Sequence, residues 1–288
     1  MTDMYTRILA TAGGSPWSAT ALTYAIDLAG RLGVDLHMLT GLVMPAGDGE
    51  VTADLANGQV QAALEKAAQE LLDEAAELAR QAGVTFVAHT VWGDIPAAIL
   101  QTANTYGCDL IVLGTRRGVG FERQTLGHIA HAVAANAPQS VLVVKRPLAR
   151  EALLGRRVLV ATGHSIWSKY AVEHAIGLAQ VMGLEVCVLH VEPQQAQGGG
   201  EGATEGKQLL AQAEAWSAAA GIPYEGVLAS GAVPEVILET AARKQCRAII
   251  LGTRSVSGWD RLALGSIVNA VAARATLPVL IVKPDVSV

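Results

Sequence analysis

Ile249-Ile250-Leu251-Gly252-Thr253-Arg254-Ser255, followed after nine residues by Gly265-Ser266 and closed by Pro278-Val279-Leu280-Ile281-Val282-Lys283, decides the reading of the chain. The first apolar run breaks at glycine and reads as a buried strand. Ile267, Ala270 and Val271 then recur at helical spacing, with Arg274 on the solvent side, and the second apolar run reads as another strand. Strand, glycine turn, helix, strand is the outline of a parallel α/β layer that presents backbone N–H groups at a helix start. The same outline stands earlier as Ile111-Val112-Leu113-Gly114-Thr115-Arg116, then Gly127, Ile129, Ala132 and Val133, then Val141 to Lys145, every pair at one constant offset. A period this long marks a duplicated domain, because solenoid repeats recur every 20 to 50 residues or about that.

The starts of the two halves agree as well. Arg7-Ile8-Leu9, Gly13, Ser15, Trp17, Ser18, Ala21, Ala25, Ile26, Ala29 and Gly33 match Arg157-Val158-Leu159, Gly163, Ser165, Trp167, Ser168, Ala171, Ala175, Ile176, Ala179 and Gly183. Their offset is larger than that of the ends, so the first half carries a longer loop between Thr40 and Gly83. We divide the chain into domains at 1–148 and 153–288, with Pro147 to Arg157 as a short charged linker.

Composition is consistent with two cores: 288 residues, 51% hydrophobic, enough for two domains of about 140 residues each. A net charge of -5 offers no electrostatic case for nucleic acid or an anionic membrane. No apolar run reaches the roughly 18 residues of a span, and the N-terminus has no apolar export core, so a cytoplasmic protein is expected. Cys108, Cys187 and Cys246 lack metal spacing and read as reduced core thiols.

In chain order, Ile8-Leu9-Ala10 is a strand ending at Gly13-Gly14, and Ser15-Pro16 is a helix start. A helix to about Gly33, a strand over Val34 to Thr40, a helix over Val60 to Gln81, a strand over Thr85 to Thr90 and a helix from Ala97 to Tyr106 follow. The second half repeats this order, with Glu192 to Lys207 as a Gln- and Gly-rich loop. Alternating strands and helices demand α/β: two similar doubly wound domains, each a five-stranded mostly parallel, Rossmann-like sheet with helices on both faces.

The chain resembles a tandem member of the universal stress protein family. The features that carry this are the Ile-Leu strand before a Gly-Ser helix start, the Gly-x-x-Pro turns at Gly93 to Pro96 and Gly231 to Pro234, the Leu-Gly-Thr-Arg strand ends and the Pro-Val-Leu-Ile-Val-Lys close. The resemblance implies an adenine-nucleotide-hydrolase-like fold and a pseudo-twofold pairing of the domains. The closing strands Val141 to Val144 and Val279 to Val282 would then meet edge to edge, covering two exposed edges. Further self-association of the fused pair stays open.

Nucleotide-binding members carry Gly, two residues, Gly, nine residues, Gly, then Ser or Thr. Mapped here, the first domain supplies Gly114, Thr115, Arg116, then Arg117 for the middle glycine, Gly127, and His128 for the hydroxyl. The second supplies Gly252, Thr253, Arg254, then Ser255 for the middle glycine, Gly265 and Ser266. The family's acidic residue at the end of the first strand falls on Gly13 and Gly163, while backbone at Thr40-Gly41 and His190-Val191 lies where adenine is received. Arg116 and Arg254 sit beside the helix starts, where guanidinium and helix N-terminus together favour an anion, and Gly118 follows the gap in the first copy. The second domain, which keeps its terminal hydroxyl, is the better candidate for ATP or AMP.

Other residues bear on this choice. Phe121-Glu122-Arg123 and Trp259-Asp260-Arg261 repeat ahead of the last helix, as a hydrolytic base or as a helix-start acid with a packed aromatic. Trp17 and Trp167 stack on a base or pack in the core. His128 and His131 share a helix face without a third ligand, and Ser15 and Ser165 read as caps, not nucleophiles. The expectation is a non-enzymatic stress-response protein that binds adenine nucleotide weakly in its second domain. The alternatives are a nucleotide-free interaction or chaperone-like module and, last, a slow ATPase.

Overall fold

The computed structural model describes residues 4–44, 58–115, 126–145, 156–192, 201–253 and 264–283, with side chains of its 201–219 helix from 204 onward. Outside them lie Arg116, Arg117, Gly118, Arg254, Ser255, both aromatic-acid-Arg triplets, Gly198-Gly199-Gly200 and most of the linker. The chain divides into two compact units, Tyr5–Gly114 and Thr115–Val288 together with Met1–Met4.

The first unit runs β1 (Arg7–Ala12), α1 (Pro16–Leu32), β2 (Asp35–Leu42), α2 (Gln59–Gln81), β3 (Phe86–Trp92), α3 (Ile95–Thr105), β4 (Leu110–Gly114). Its strands are all parallel in the order β3-β2-β1-β4, with Ile8 facing Leu36 on one side and Leu110 on the other. Continuous apolar runs form the central strands because helices cover both faces; Ile8, Leu9, Leu110 and Ile111 are fully buried. Ser15 caps α1 by accepting from Ser18 N at 3.2 Å, and Gly33 ends it at φ 68. Asp94 caps α3 the same way, accepting from Ala97 N at 2.8 Å, so this helix begins at Ile95, two residues before the expected Ala97.

The second unit runs α4 (His128–Asn136), β5 (Ser140–Val144), β6 (Arg157–Thr162), α5 (Ile166–Met182), β7 (Glu185–Glu192), α6 (Glu201–Ala219), β8 (Tyr224–Ser230), α7 (Val233–Arg243), β9 (Ala248–Gly252), α8 (Ser266–Arg274), β10 (Val279–Val282). Its sheet order is β5-β10-β9-β6-β7-β8. All pairs are parallel except β5 with β10, where Val279 faces Val143 and Ile281 faces Val141, so the two closing strands do pair. One expectation fails. Glu201 to Lys207 is helix, not loop: glycines at 202 and 206 obscured its start, and Gly206 sits close under the His190 and Leu228 side chains, where a Cβ would meet His190 Cδ2 at 2.7 Å and Leu228 Cδ1 at 2.9 Å.

Each closing strand ends in a buried lysine aimed at a helix C-terminus. Lys145 donates to Ala273 O at the end of α8, and Lys283 donates to Ala137 O at the end of α4. Exposed carbonyls at a helix end favour an ammonium, but burial still brings the Lys283 amine down to about 8. All three cysteines are buried and free, and burial pushes Cys108 and Cys187 up to about 11 and Cys246 to about 12. Among the described residues no helix is long and apolar enough to cross a membrane.

Candidate functional site

In the second unit the described members of the predicted site, Gly163, Val191, Gly252 and Thr253, lie at the C-terminal ends of β6, β7 and β9, while Arg254 and Ser255 fall outside the described residues. β6 ends in the turn Gly163-His164-Ser165. Ser165 Oγ accepts from Ser168 N at 3.2 Å, and Ser168 Oγ in turn lies 2.7 Å from Gly163 O. The serine is therefore a cap, as its counterpart Ser15 is in the first unit. Gly163 has one atom within reach of a would-be side chain, Ser168 Oγ at 3.9 Å, so no neighbour enforces glycine there.

Gly252 has a different reason to be glycine. The first turn of α5 lies directly on the strand end, and a Cβ at Gly252 would sit 2.6 Å from the Trp167 carbonyl carbon, closer still to its oxygen, and 3.2 Å from Ala171 Cβ. Gly114 meets α1 identically, 2.5 Å from the Trp17 carbonyl carbon. The first glycine of each motif thus permits helix-on-strand packing, whatever else it does. Trp17 and Trp167 are half-buried and contribute backbone, not ring, to this contact. Thr253 N donates to Val282 O at 3.1 Å and Thr115 N to Val144 O at 2.8 Å, so both amides are consumed by the sheet. Both threonine side chains are buried.

The helix starts remain. Gly265 caps α8 at φ -50, ψ 141, and Gly127 caps α4 at φ -53, ψ 146, neither with a side-chain cap bond. The first N–H groups of each helix have no intrahelical acceptor. Gly265 and Ser266 are exposed, and a Cβ at Gly265 would meet Thr253 Oγ1 at a comfortable 3.8 Å; at Gly127 the equivalent hydroxyl of Thr115 stands at 2.5 Å. The second helix start is the more open. His128 is exposed and His131 half-buried on α4, and among the described residues no group of three or more His, Cys, Asp or Glu is disposed around a metal position.

The strand-end residues differ between the copies. In the first unit a Cβ at Gly41 would collide with the Ile95 side chain, whose Cδ1 occupies its place, and Thr40 is buried with its hydroxyl unpartnered among the described residues. In the second, Val191 takes the place of Gly41 and is buried, with the smaller Val233 in the place of Ile95. His190 Nδ1 stands 3.1 Å from Thr162 O, its ring edge-on to His164 at 5.7 Å, and His164 Nε2 lies 3.6 Å from Glu205 Oε2.

The cluster of His164 and Glu205 was missed; the available signal was that His164 replaces the Gly14 of the first repeat. Also missed was the first unit's pair, His37 Nδ1 and His89 Nε2 at 2.9 Å, stacked at 14° and flanked by Tyr106, both held below the ordinary imidazole range chiefly by burial.

Comparison with known proteins accords with this architecture. A model of the universal stress protein family matches twice, at residues 4–145 and 155–283. A universal stress protein of Methanocaldococcus jannaschii is 32% identical over 154 residues, 50% of this chain and 85% of that one. One from Bacillus subtilis is 29% identical over 145 residues, covering 44% and 98%. The crystal structure of a universal stress protein from Archaeoglobus fulgidus superposes with a TM-score of 0.77 at 22% identity, covering 98% of this chain and 99% of that one, a likeness of fold. With two matches that together span almost its whole length, the chain belongs to the universal stress protein family and carries the family domain twice in tandem.

Proposed function

We propose that this is a non-enzymatic, cytoplasmic stress-response protein whose second repeat binds adenine nucleotide, ATP or AMP, weakly. The observation that carries the reading is the open start of α8: exposed Gly265 and Ser266, first-turn amides without an intrahelical acceptor and, among the described residues, no side chain capping them. Phosphate placed there meets the N-terminal amides and the positive end of the helix, and the Ser266 hydroxyl adds one more donor. The residues present fit the phosphate end of the ligand. The ribose end is less well served, since Gly163 leaves space but no carboxylate. Thr253 cannot contribute its amide, which the sheet already uses. These two deficits set the affinity low and argue against hydrolysis.

Calorimetric titration with Mg-ATP and with AMP tests this. Heat that saturates at millimolar nucleotide or below, and that disappears in Gly265→Trp, is the expected result; no heat at millimolar concentration sinks the proposal. A second reading, a nucleotide-free interaction or chaperone-like module, is favoured by the His164, His190 and Glu205 cluster standing at the strand ends where a base would lie. Under it, suppression of client aggregation persists in Gly265→Trp and is indifferent to nucleotide.

A further inference from the structure

At the other end of the second unit's sheet, where β6 and β7 begin, a cleft of about 870 Å³ opens beneath α7 and α8. Its floor is apolar, from Leu238, Ala241, Ile249 and Leu277, and four cations line it: Arg156, Arg157, Lys244 and Arg274. Three are held in place by carboxylates. Arg157 Nη2 meets Glu185 at 2.7 Å and its Nη1 meets Glu225 at 2.7 Å; Lys244 meets the other oxygen of Glu225; Arg274 Nη1 meets Glu235 at 2.5 Å. These pairs leave donors over. A guanidinium has five N–H groups and an ammonium three, so Arg274 and Lys244, each with one carboxylate bond, keep most of theirs. Arg156 has no ion-pair partner among the described residues.

Two further observations separate this cleft from ordinary surface. Gln245 lines it at φ 51, the one non-glycine positive φ among the described residues, where the first repeat has Gly107 at φ 63. Duplication shows that the fold accepts glycine at this point, so a strained glutamine is retained for its side chain, and such strain collects at binding sites. The first repeat also serves as an internal control for charge: Thr6, Tyr106 and Asn136 stand where the second has Arg156, Lys244 and Arg274. The architecture does not need these cations. Their company here, in a cleft of ligand size with convergent polar groups, is particular to the second repeat of a chain whose net charge is -5.

We propose that this cleft binds a small anion carrying two or more negative charges, a phosphate ester or polycarboxylate, gripped by Arg156, Arg274, Lys244 and the Gln245 amide. The glutamates act as positioning residues that fix the cations without exhausting them. The site is independent of the nucleotide reading and lies at the opposite ends of the strands.

The test is calorimetry at low ionic strength with pyrophosphate and, separately, citrate, on the full chain. Either probe is expected to bind, with affinity falling at least about tenfold in the double variant Arg156→Gln, Arg274→Gln and about threefold or more in Gln245→Gly, which keeps the backbone conformation should the double variant fold poorly. Binding of pyrophosphate alone identifies phosphate esters as the class; binding of both shows that charge is read irrespective of its carrier. Gly265→Trp leaves these affinities unchanged. No binding of either probe at about 10 mM, affinity indifferent to the substitutions, or loss of binding in Gly265→Trp overturns the proposal.

Discussion

Replacing Gly252 by alanine separates two reasons a glycine can stand in a phosphate-type motif. The new methyl carbon would lie 2.6 Å from the Trp167 carbonyl carbon and nearer its oxygen, where an unstrained carbon to oxygen approach is about 3.3 Å or more. The obstacle is backbone in the first turn of α5, capped by Ser165 and anchored below by buried Ala171, Val172 and Ala175. It cannot swing aside like a side chain. Overpacking costs about 1–3 kcal/mol; against a fixed backbone we expect the upper end, about 3 kcal/mol, which lowers Tm by roughly 6–12 °C in a unit of this size.

Gly265→Ala is the matched control. Its φ of -50 suits any residue and its methyl would touch Thr253 Oγ1 at 3.8 Å, so a loss of no more than about 1 kcal/mol is expected from the change of cap residue. Urea unfolding of the two variants beside the unchanged protein measures both. Equal stabilities for Gly252→Ala and Gly265→Ala would refute the packing argument. A destabilised Gly252→Ala also means that nucleotide loss in that variant reports on the fold, so Gly265 is the position at which to probe the site.

Other outcomes follow from the same geometry. Gly163→Asp restores a carboxylate where the nearest atom stands at 3.9 Å, and is expected to tighten Mg-ATP about tenfold in calorimetry, roughly the 1.4 kcal/mol of one charge-assisted contact; unchanged affinity would show that the acid's position is not the missing element. Gly41→Val collides with Ile95 and is expected to cost about 2 kcal/mol, most of it recovered in the Gly41→Val, Ile95→Val double variant; simple additivity in that cycle contradicts the swap. Lys283 titrates at about 8 in the folded chain and near the ordinary 10.5 when unfolded, so the unfolded chain holds more protons between these values and this residue's contribution to stability rises with pH across that window. The difference in unfolding free energy between the unchanged protein and Lys283→Met should therefore move by about 3 kcal/mol from pH 7 to pH 10.5, and a flat difference would rule out the buried ammonium.

How much of this was legible beforehand depended on whether the cause was local. Ser15 and Ser165 announced their helices because capping is a three-residue interaction, and the β4 and β9 runs announced buried strands because both faces are covered. Duplication supplied the repeated order of elements, while the meeting of Val141–Val144 with Val279–Val282 was implied by the family likeness alone. The start of α6 was illegible, since Gly206 in a helix signals a loop until His190, on a strand sixteen places earlier in the chain, is seen against it.

For the same reason the motif glycines could be located but not explained. Only the folded chain shows that Gly252 yields to Trp167 while a Cβ at Gly265 would meet, among the described residues, no more than Thr253 Oγ1 at an ordinary 3.8 Å. The cationic cleft was equally hidden, its cations drawn from the start of one strand and the ends of two helices, and His164 with Glu205 came from a turn and a helix some forty residues apart in the chain. Arg156-Arg157, Lys244 and Arg274 lie far apart in the sequence and carry no sign there that they will face one another.

The reciprocal lysines at the ends of β5 and β10 bear on how this molecule responds to dilution. Lys145 finds its acceptor on α8 and Lys283 finds its own at the end of α4, so each sequence repeat supplies the carbonyl that the other's lysine needs. A chain with a single repeat would have to recruit a second molecule to make these bonds, and its melting temperature would climb with concentration. Here donor and acceptor are tethered in one polypeptide and meet at a fixed effective concentration. Melting should accordingly be the same in micromolar and nanomolar solution, and the two repeats are free to diverge in what they bind without losing one another.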